Sequence, residues 1–267
     1  MSHTHPNDGT RRRAEDPEQV APGVHRLGDE VVNFYLIEHE DGLVLVDAGL
    51  PGHFGLLQER VARLGYSLTD IRAVLLTHGH LDHTGLAERL RAEAGAEIWI
   101  HREDAPILAD GPRSAMRHAK PERSMLPYLL RRPAAIRTPL HMARSGAFTA
   151  PKVQEFSVLP GEQPLDTVPG RPQPVLVPGH TSGSVAYHFA DRGLLFTGDA
   201  LVTADGMTGH TGPSLVCRGF THDGAAALAS LDRIAALPQA LILPGHGRPF
   251  ADGPRAAADQ ARHVGMT

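Results

Sequence analysis

A cluster of three histidines and one aspartate within six residues is the feature that most constrains this chain. The segment His78-Gly79-His80-Leu81-Asp82-His83 follows an apolar run at 71–77 that is rich in branched residues and predicts a buried strand. Residues 86–93, after the segment, have helical spacing. The cluster is therefore predicted to occupy a turn at the carboxyl end of a strand, where open α/β sheets bind their ligands.

Imidazole nitrogens and carboxylate oxygens together form the ligand set that zinc and similar divalent metals prefer. The alternative is a histidine-rich surface loop, because the chain contains 17 histidines. Further candidate ligands at comparable positions decide between the two interpretations.

Three other apolar runs also deliver a metal-type side chain beside a glycine. Residues 174–179 lead to His180, residues 193–198 lead to Asp199, and residues 240–245 lead to His246. Packing alone does not explain four strand ends of this kind, so we expect these side chains to share one edge of the fold.

The two halves of the chain repeat one plan. Hairpin strands at 31–38 and 43–46, a helix at 55–64 and the strand at 71–77 correspond to a hairpin at 185–197, a helix at 223–237 and a strand at 240–243. The sequence 42–50 also resembles 193–201. We predict an α+β fold, a four-layer αββα sandwich in which two ββαβ halves pack face to face with helices outside.

Composition limits the remaining classes. The net charge of −4 gives no reason to expect a nucleic-acid partner, and the single cysteine, Cys217, excludes an intrachain disulfide or a thiolate-rich zinc site. We expect a flexible polar tail at 1–22, one domain at 23–267, no membrane association and a cytoplasmic location.

Residues 102–152 interrupt the repeated plan and are predicted to form a helical cap insertion. The segment carries ten basic and four acidic residues, an excess of six positive charges, together with several large apolar side chains. One interpretation is a cap that recognises an anionic or amphipathic substrate, with Tyr128, Arg131 and Arg132 as candidate contacts. The other is an ordinary solvated insertion that packs on the body.

The spread of these residues resembles the metallo-β-lactamase-fold hydrolases, whose signature is His-x-His-x-Asp-His followed by separate His, Asp and His ligands. The resemblance runs from about residue 24 to 250 and implies two metal ions, expected to be zinc, with iron or manganese as alternatives. The matching positions are Asp47, His78, His80, Asp82, His83, His180, Asp199 and His246.

Carried over by position, the resemblance implies that His78, His80 and His180 hold the first metal. It implies that Asp82, His83 and His246 hold the second, with Asp199 bridging both. Asp47 would be an acceptor that orients a metal-bound imidazole; its alternative is a plain turn residue.

Two such metals would share a hydroxide that attacks a carbonyl, while Asp82 orients it and passes a proton to the leaving atom. Asp82 and Asp199 are thus the candidate catalytic residues. No serine or cysteine nucleophile is needed, so Cys217 is expected to be structural.

Among the branches of the family, the ligand set and length are nearest to lactonases and other small ester or thioester hydrolases, while the ligand set alone is also similar to that of glyoxalase II. A bridging carboxylate at Asp199 disfavours a β-lactamase, and only 21 residues follow His246, where glyoxalase II has a helical recognition domain. The predicted function is hydrolysis of a small ester, lactone or thioester. Phosphodiester cleavage and metal-dependent oxygen chemistry are the rivals, and the oligomeric state is open, a homodimer included.

Overall fold

Two β-sheets that face each other form the centre of the protein. The computed structural model describes residues 19–267. The first sheet has seven strands in chain order: β1 (Gln19–Ala21), β2 (Val24–Gly28), β3 (Asn33–His39), β4 (Gly42–Val46), β5 (Ile71–Leu75), β6 (Glu97–Ile100) and β7 (Ser157–Val158). Strands β1 to β4 are antiparallel, and β4 to β7 are parallel.

The second sheet has four strands in the order β13-β10-β9-β8, and a separate two-stranded ribbon pairs β11 with β12. Their bounds are β8 (Gln173–Leu176), β9 (Val185–Phe189), β10 (Leu194–Gly198), β11 (Val202–Ala204), β12 (Thr211–Ser214) and β13 (Leu241–Pro244). Strands β10 and β13 are parallel, as β4 and β5 are in the first sheet.

Eight α-helices complete the described part of the chain. They are α1 (Phe54–Arg63), α2 (Ala87–Ala94), α3 (Ala105–Asp110), α4 (Ala115–His118), α5 (Leu126–Arg131), α6 (Arg137–Arg144), α7 (Gly224–Ala235) and α8 (Gly253–Val264). The repeated plan is confirmed, because β3-β4-α1-β5 matches β9-β10-α7-β13 in order and pairing. Helix α8 was not predicted, since its buried face is made of small alanines.

Three hydrophobic clusters separate four layers. In strand β3, Phe34 and Leu36 pack toward helices α1 and α2, while Tyr35 and Ile37 pack toward the second sheet. The outer face of the second sheet packs on α7 and α8. Strands with both faces buried read as continuous apolar runs rather than alternating ones. The predicted αββα sandwich is therefore confirmed.

The predicted tail and insertion have the following structure. Residues 19–21, inside the predicted tail, form edge strand β1, and residues 1–18 lie outside the described part of the chain. Helices α3 to α6 occupy the segment between β6 and β7, so the insertion at 102–152 is helical. None of the helices in residues 19–267 has both the length and the apolar character needed to cross a membrane.

Phe196 tests the packing between the two sheets. Its ring is 0% exposed and meets Tyr35 edge-on at 5.2 Å and Phe189 at 5.5 Å between centroids. We expect Phe196→Ala to lower the free energy of unfolding by about 3–5 kcal/mol, measured by urea denaturation, because the cavity cannot close fully. The control Phe148→Ala, 41% exposed in the insertion, should change it by less than about 0.5 kcal/mol. Equal effects would contradict the assigned core.

Candidate metal centre

The predicted ligands meet at one edge of the two sheets. The His78–His83 segment follows β5, Asp199 follows β10, and His246 follows β13, while His180 follows β8 after a short extension. These strand ends lie together because the two halves contact each other there: the Val185 amide donates to the Thr77 carbonyl at 2.8 Å, and Gly198 packs against Thr77. The sequence prediction of a shared edge is confirmed in the structure.

Tight backbone turns allow the strands to end here. Asp47, directly after β4, has a φ of 61°, in the left-handed region that non-glycine residues rarely adopt. Gly198, at the end of β10, has a φ of 50°, and a Cβ there would lie 2.3 Å from Oγ1 of Thr77. The two halves thus pack their final turns directly against each other, which only glycine permits at position 198.

Seven side chains form two groups with one carboxylate between them. The first group contains His78, His80 and His180, and the second contains Asp82, His83 and His246; within each group one nitrogen or oxygen atom per residue lies within 4.8 Å of the others. Oδ2 of Asp199 lies 3.3 Å from Nε2 of His180 and 3.0 Å from Nε2 of His246. Asp199 is therefore placed between the groups, as a bridging ligand requires.

Most imidazoles in the centre are oriented by a contact to the ring nitrogen that points away from it. Nδ1 of His83 hydrogen-bonds Asp47 at 2.9 Å, and Nδ1 of His246 hydrogen-bonds the Val31 carbonyl. Nδ1 of His78 lies 3.1 Å from Oγ1 of Thr77. These contacts leave Nε2 of each ring directed inward, the arrangement that metal-binding histidines adopt.

Buried polar atoms that lack a hydrogen bond test whether this centre fits metal ions. Nε2 of His78, Nε2 of His83 and Oδ1 of Asp199 are buried and have no hydrogen-bond partner among the described residues. Leaving buried polar atoms unpaired costs free energy, and native proteins rarely do so without a function. A cation bound among them would satisfy all three, so the donor set fits divalent metals.

The charges of the centre act strongly on the two histidines of the second group. Burial alone would lower the pKa of His83, but the carboxylates of Asp199, Asp82 and Asp47 raise it to about 10. Burial is likewise outweighed at His246, whose pKa Asp199 and Asp82 raise to about 9. The carboxylates thus attract positive charge, whether it is carried by protons or by metal ions.

Asp104 is a residue of the site that the sequence analysis missed. Its carboxylate, 1% exposed, accepts hydrogen bonds from the Gly79 amide at 2.8 Å, the Thr181 hydroxyl at 2.7 Å and the Gly183 amide at 2.9 Å. It therefore joins the loop of His78 and His80 to the loop of His180. Its place shortly after the apolar strand β6 was a usable signal, but β6 is not among the strands predicted from the sequence.

The three candidate substrate contacts lie on helix α5 and just after it. Tyr128 is 9% exposed and its hydroxyl donates to the Thr267 carbonyl at 2.8 Å. Arg131 and Arg132 are exposed, and the guanidinium of Arg132 lies against Gly209. Their contact with substrate stays a prediction, and the hydroxyl of Tyr128 already has a protein partner.

Comparison with known proteins identifies the fold family. The model of the Metallo-beta-lactamase superfamily matches residues 27–246, a span that contains Asp47 and all the side chains of the centre. This chain belongs to the metallo-beta-lactamase superfamily. Proteins of this fold bind divalent metals, typically two, and the chain is a metal-dependent hydrolase.

Two curated relatives resemble the chain over most of its length. The probable metallo-hydrolase YflN of Bacillus subtilis (strain 168) is 28% identical over 249 residues, covering 87% of this chain and 86% of the relative. A hydroxyacylglutathione hydrolase of Fuscovulum blasticum is 31% identical over 227 residues, covering 83% of this chain and 64% of that enzyme. The chain thus spans less than two thirds of the latter.

Solved structures of the superfamily show the same fold. The metallo-beta-lactamase family protein TTHA1429 of Thermus thermophilus has a TM-score of 0.66 at 25% identity, covering 91% of this chain and 80% of that protein. TTHA1623, solved in a di-iron-bound form, has a TM-score of 0.58 at 26% identity, covering 85% of this chain and 92% of that protein.

The raised pKa values of His83 and His246 predict that metals displace protons. At pH 7 both imidazoles of the metal-free protein are protonated, since their pKa values are about 10 and about 9. Loading the centre should release about two protons, and acidification should weaken metal binding. Titration calorimetry with Zn²⁺ in two buffers of different ionisation enthalpy measures the release. A binding enthalpy independent of the buffer would contradict the prediction.

Proposed function

We propose that this superfamily member is a dinuclear metal hydrolase that cleaves a small ester, lactone or thioester. The observation that carries the proposal is the placement of Asp199 between two separate ligand groups, one of three histidines and one of an aspartate and two histidines. The proposed first-metal ligands are His78, His80 and His180. The proposed second-metal ligands are Asp82, His83 and His246. Asp199 would contribute to both subsites.

When bound at these residues, two divalent cations lower the pKa of water and polarise a scissile carbonyl. We expect zinc, with iron and manganese as alternatives; the di-iron form of TTHA1623 is a reason to test iron as well. No cysteine nucleophile is required. Cys217 is buried, and burial raises the pKa of its thiol to about 12, so it is protonated at neutral pH.

Two aspartates of the chain have proposed roles, one in proton transfer and one in spacing the ligand groups. Asp82 is only 6% exposed and its Oδ2 lies 3.6 Å from Nε2 of both His83 and His246. From this position it would accept a proton from the attacking water and pass it to the leaving atom. Asp199 would hold both ligand groups at a fixed separation.

The relatives favour cleavage at an acyl carbon. Hydroxyacylglutathione hydrolase is a thioester-cleaving enzyme by its name, and its similarity covers 83% of this chain. Since this chain matches only 64% of that enzyme, glutathione recognition is not carried over. The positive charge of the insertion is the one feature in favour of a phosphodiester, which a two-metal centre also cleaves.

A substrate panel tests the proposal. We expect the zinc-loaded protein to hydrolyse an aryl ester, a lactone or an S-acyl thioester, with product masses read directly. His80→Ala and Asp199→Ala should each lower kcat/KM by about 100-fold or more, with an unchanged far-ultraviolet circular dichroism spectrum.

The control for these variants is His39→Ala. His39 is the last residue of strand β3, at the end away from the metal centre, so this variant should keep full activity. Turnover of bis-aryl phosphodiesters without carboxyl substrates would favour the phosphodiesterase instead. One bound iron with oxygen uptake would overturn hydrolysis, and full activity of both ligand variants with metal bound would disprove the ligand assignment.

The role of the insertion is tested separately. If Arg131 and Arg132 recognise an anionic group, replacing both with alanine should raise KM for anionic substrates by about fivefold and leave KM for neutral analogues unchanged, since each exposed charge contributes modestly. Arg171→Ala, an exposed arginine outside the insertion that pairs with Asp166, is the matched control. Equal changes for charged and neutral substrates would contradict charge recognition.

A further inference from the structure

Helix α6 of the insertion packs beside the loop that precedes strand β3. Met142 of α6 lies in a small hydrophobic cluster with Leu81, which stands between His80 and Asp82, and with Val31. On the same helix, Nε2 of His141 lies 2.6 Å from Oδ2 of Asp29. The helix therefore contacts the loop that precedes strand β3 directly, through the pair of His141 and Asp29.

The carboxylate of Asp29 organises that loop. Its Oδ1 accepts the amide hydrogens of Val31 at 2.8 Å and Val32 at 3.0 Å, and its Oδ2 also meets Nε2 of His53 at 2.9 Å. Nδ1 of His53 accepts from the Leu50 amide at 3.1 Å, so Nε2 carries a hydrogen and donates it to Asp29. Burial alone would raise the pKa of Asp29, but the bonds from His53, Val31 and Val32 lower it below its usual range.

The loop in turn orients one proposed metal ligand. Nδ1 of His246 donates to the Val31 carbonyl, while the amide of Val31 donates to Asp29. The Asp29 carboxylate is therefore connected to the His246 imidazole through the two peptide units that flank Val31. The outer partner of a metal-bound histidine sets the direction of the ring and typically changes metal affinity about 10–100-fold when removed.

We propose that Asp29 is a positioning residue of the second metal subsite, through which His141 on helix α6 fixes the ring of His246. The inference rests on the proposed two-metal centre, but not on the identity of its substrate. It makes the insertion part of the metal site, so that displacement of α6 lowers the affinity for the second metal and leaves the affinity for the first unchanged.

The first subsite offers a contrast within the same chain. Asp104 binds the loops of the first ligand group and makes no hydrogen bond to the loop of Val31 among the described residues. Asp29 binds the loop of Val31, whose carbonyl contacts His246. Within residues 19–267 it makes no hydrogen bond to the loops of the first ligand group. Each outer carboxylate is therefore expected to act on a different metal.

Zn²⁺ titration of the metal-free full chain, followed by calorimetry, tests the inference. The wild-type chain should bind two equivalents. In a His80→Ala background, which disables the first subsite, His141→Ala should weaken the remaining equivalent by about tenfold. In a His246→Ala background it should have no effect, and Asp104→Asn should show the reverse pattern.

Matched variants keep the test specific. His118→Ala removes another insertion histidine that pairs with an aspartate, Asp110, at 2.9 Å, and should leave both affinities unchanged. His141→Gln keeps an N–H donor and should restore binding. An unchanged affinity for His141→Ala in the His80→Ala background, or an equal loss in both backgrounds, would overturn the inference. A wild-type chain that binds fewer than two equivalents would instead contradict the two-metal centre itself.

Discussion

The buried carboxylate of Asp47 is the contact on which the arrangement of the metal centre depends. It accepts the amide of Thr77 at 2.8 Å, the hydroxyl of Thr77 at 2.9 Å, and Nδ1 of His83 at 2.9 Å. A buried charge must be paired and hydrogen-bonded, because its desolvation is otherwise costly. The strand β4 is thereby tied to the turn after β5, and the His83 ring is fixed before any metal binds.

Carboxylates outside the ligand set hold the surrounding loops in the same way. Asp104 joins loops from the two halves of the chain, and Asp29 joins the insertion to the loop before β3. Asp205 organises the ribbon that follows β10, accepting amides of Met207 and Cys217. Because irregular loops lack the regular hydrogen bonds of strands, these acids supply the partners that keep the ligands in place.

The internal repeat holds for the strands and helices but not for the two aspartates at the strand ends. Asp47 and Asp199 each directly follow an apolar strand, which suggests that they are counterparts. The backbone instead makes Gly198 the counterpart of Asp47, with φ values of 50° and 61° at the two turns. The glycine is needed because Thr77 occupies the space of a side chain there. Asp199 therefore stands one position later, where it reaches into the centre rather than back toward the sheet.

The limits of sequence reasoning follow from the range of the contacts. Strands with both faces buried, the glycines beside each ligand and the order of histidines and aspartates are local patterns, and they sufficed to predict the sandwich and to name the residues that meet. Edge strand β1 and helix α8 were not predicted, because a three-residue strand and an alanine-rich helix face carry little periodic signal. Asp104 was missed because strand β6, which it follows, was not predicted from the sequence.

The sequence by itself therefore determined the type of the candidate metal ligands and the strand ends that present them, because both are encoded within a few residues of each other. Only the tertiary structure decided which acids support which ligands. Asp104 and Thr181 are 77 positions apart, and Asp29 and His141 are 112 apart. Such bonds form only once the two halves and the insertion have packed, and no local pattern records that packing.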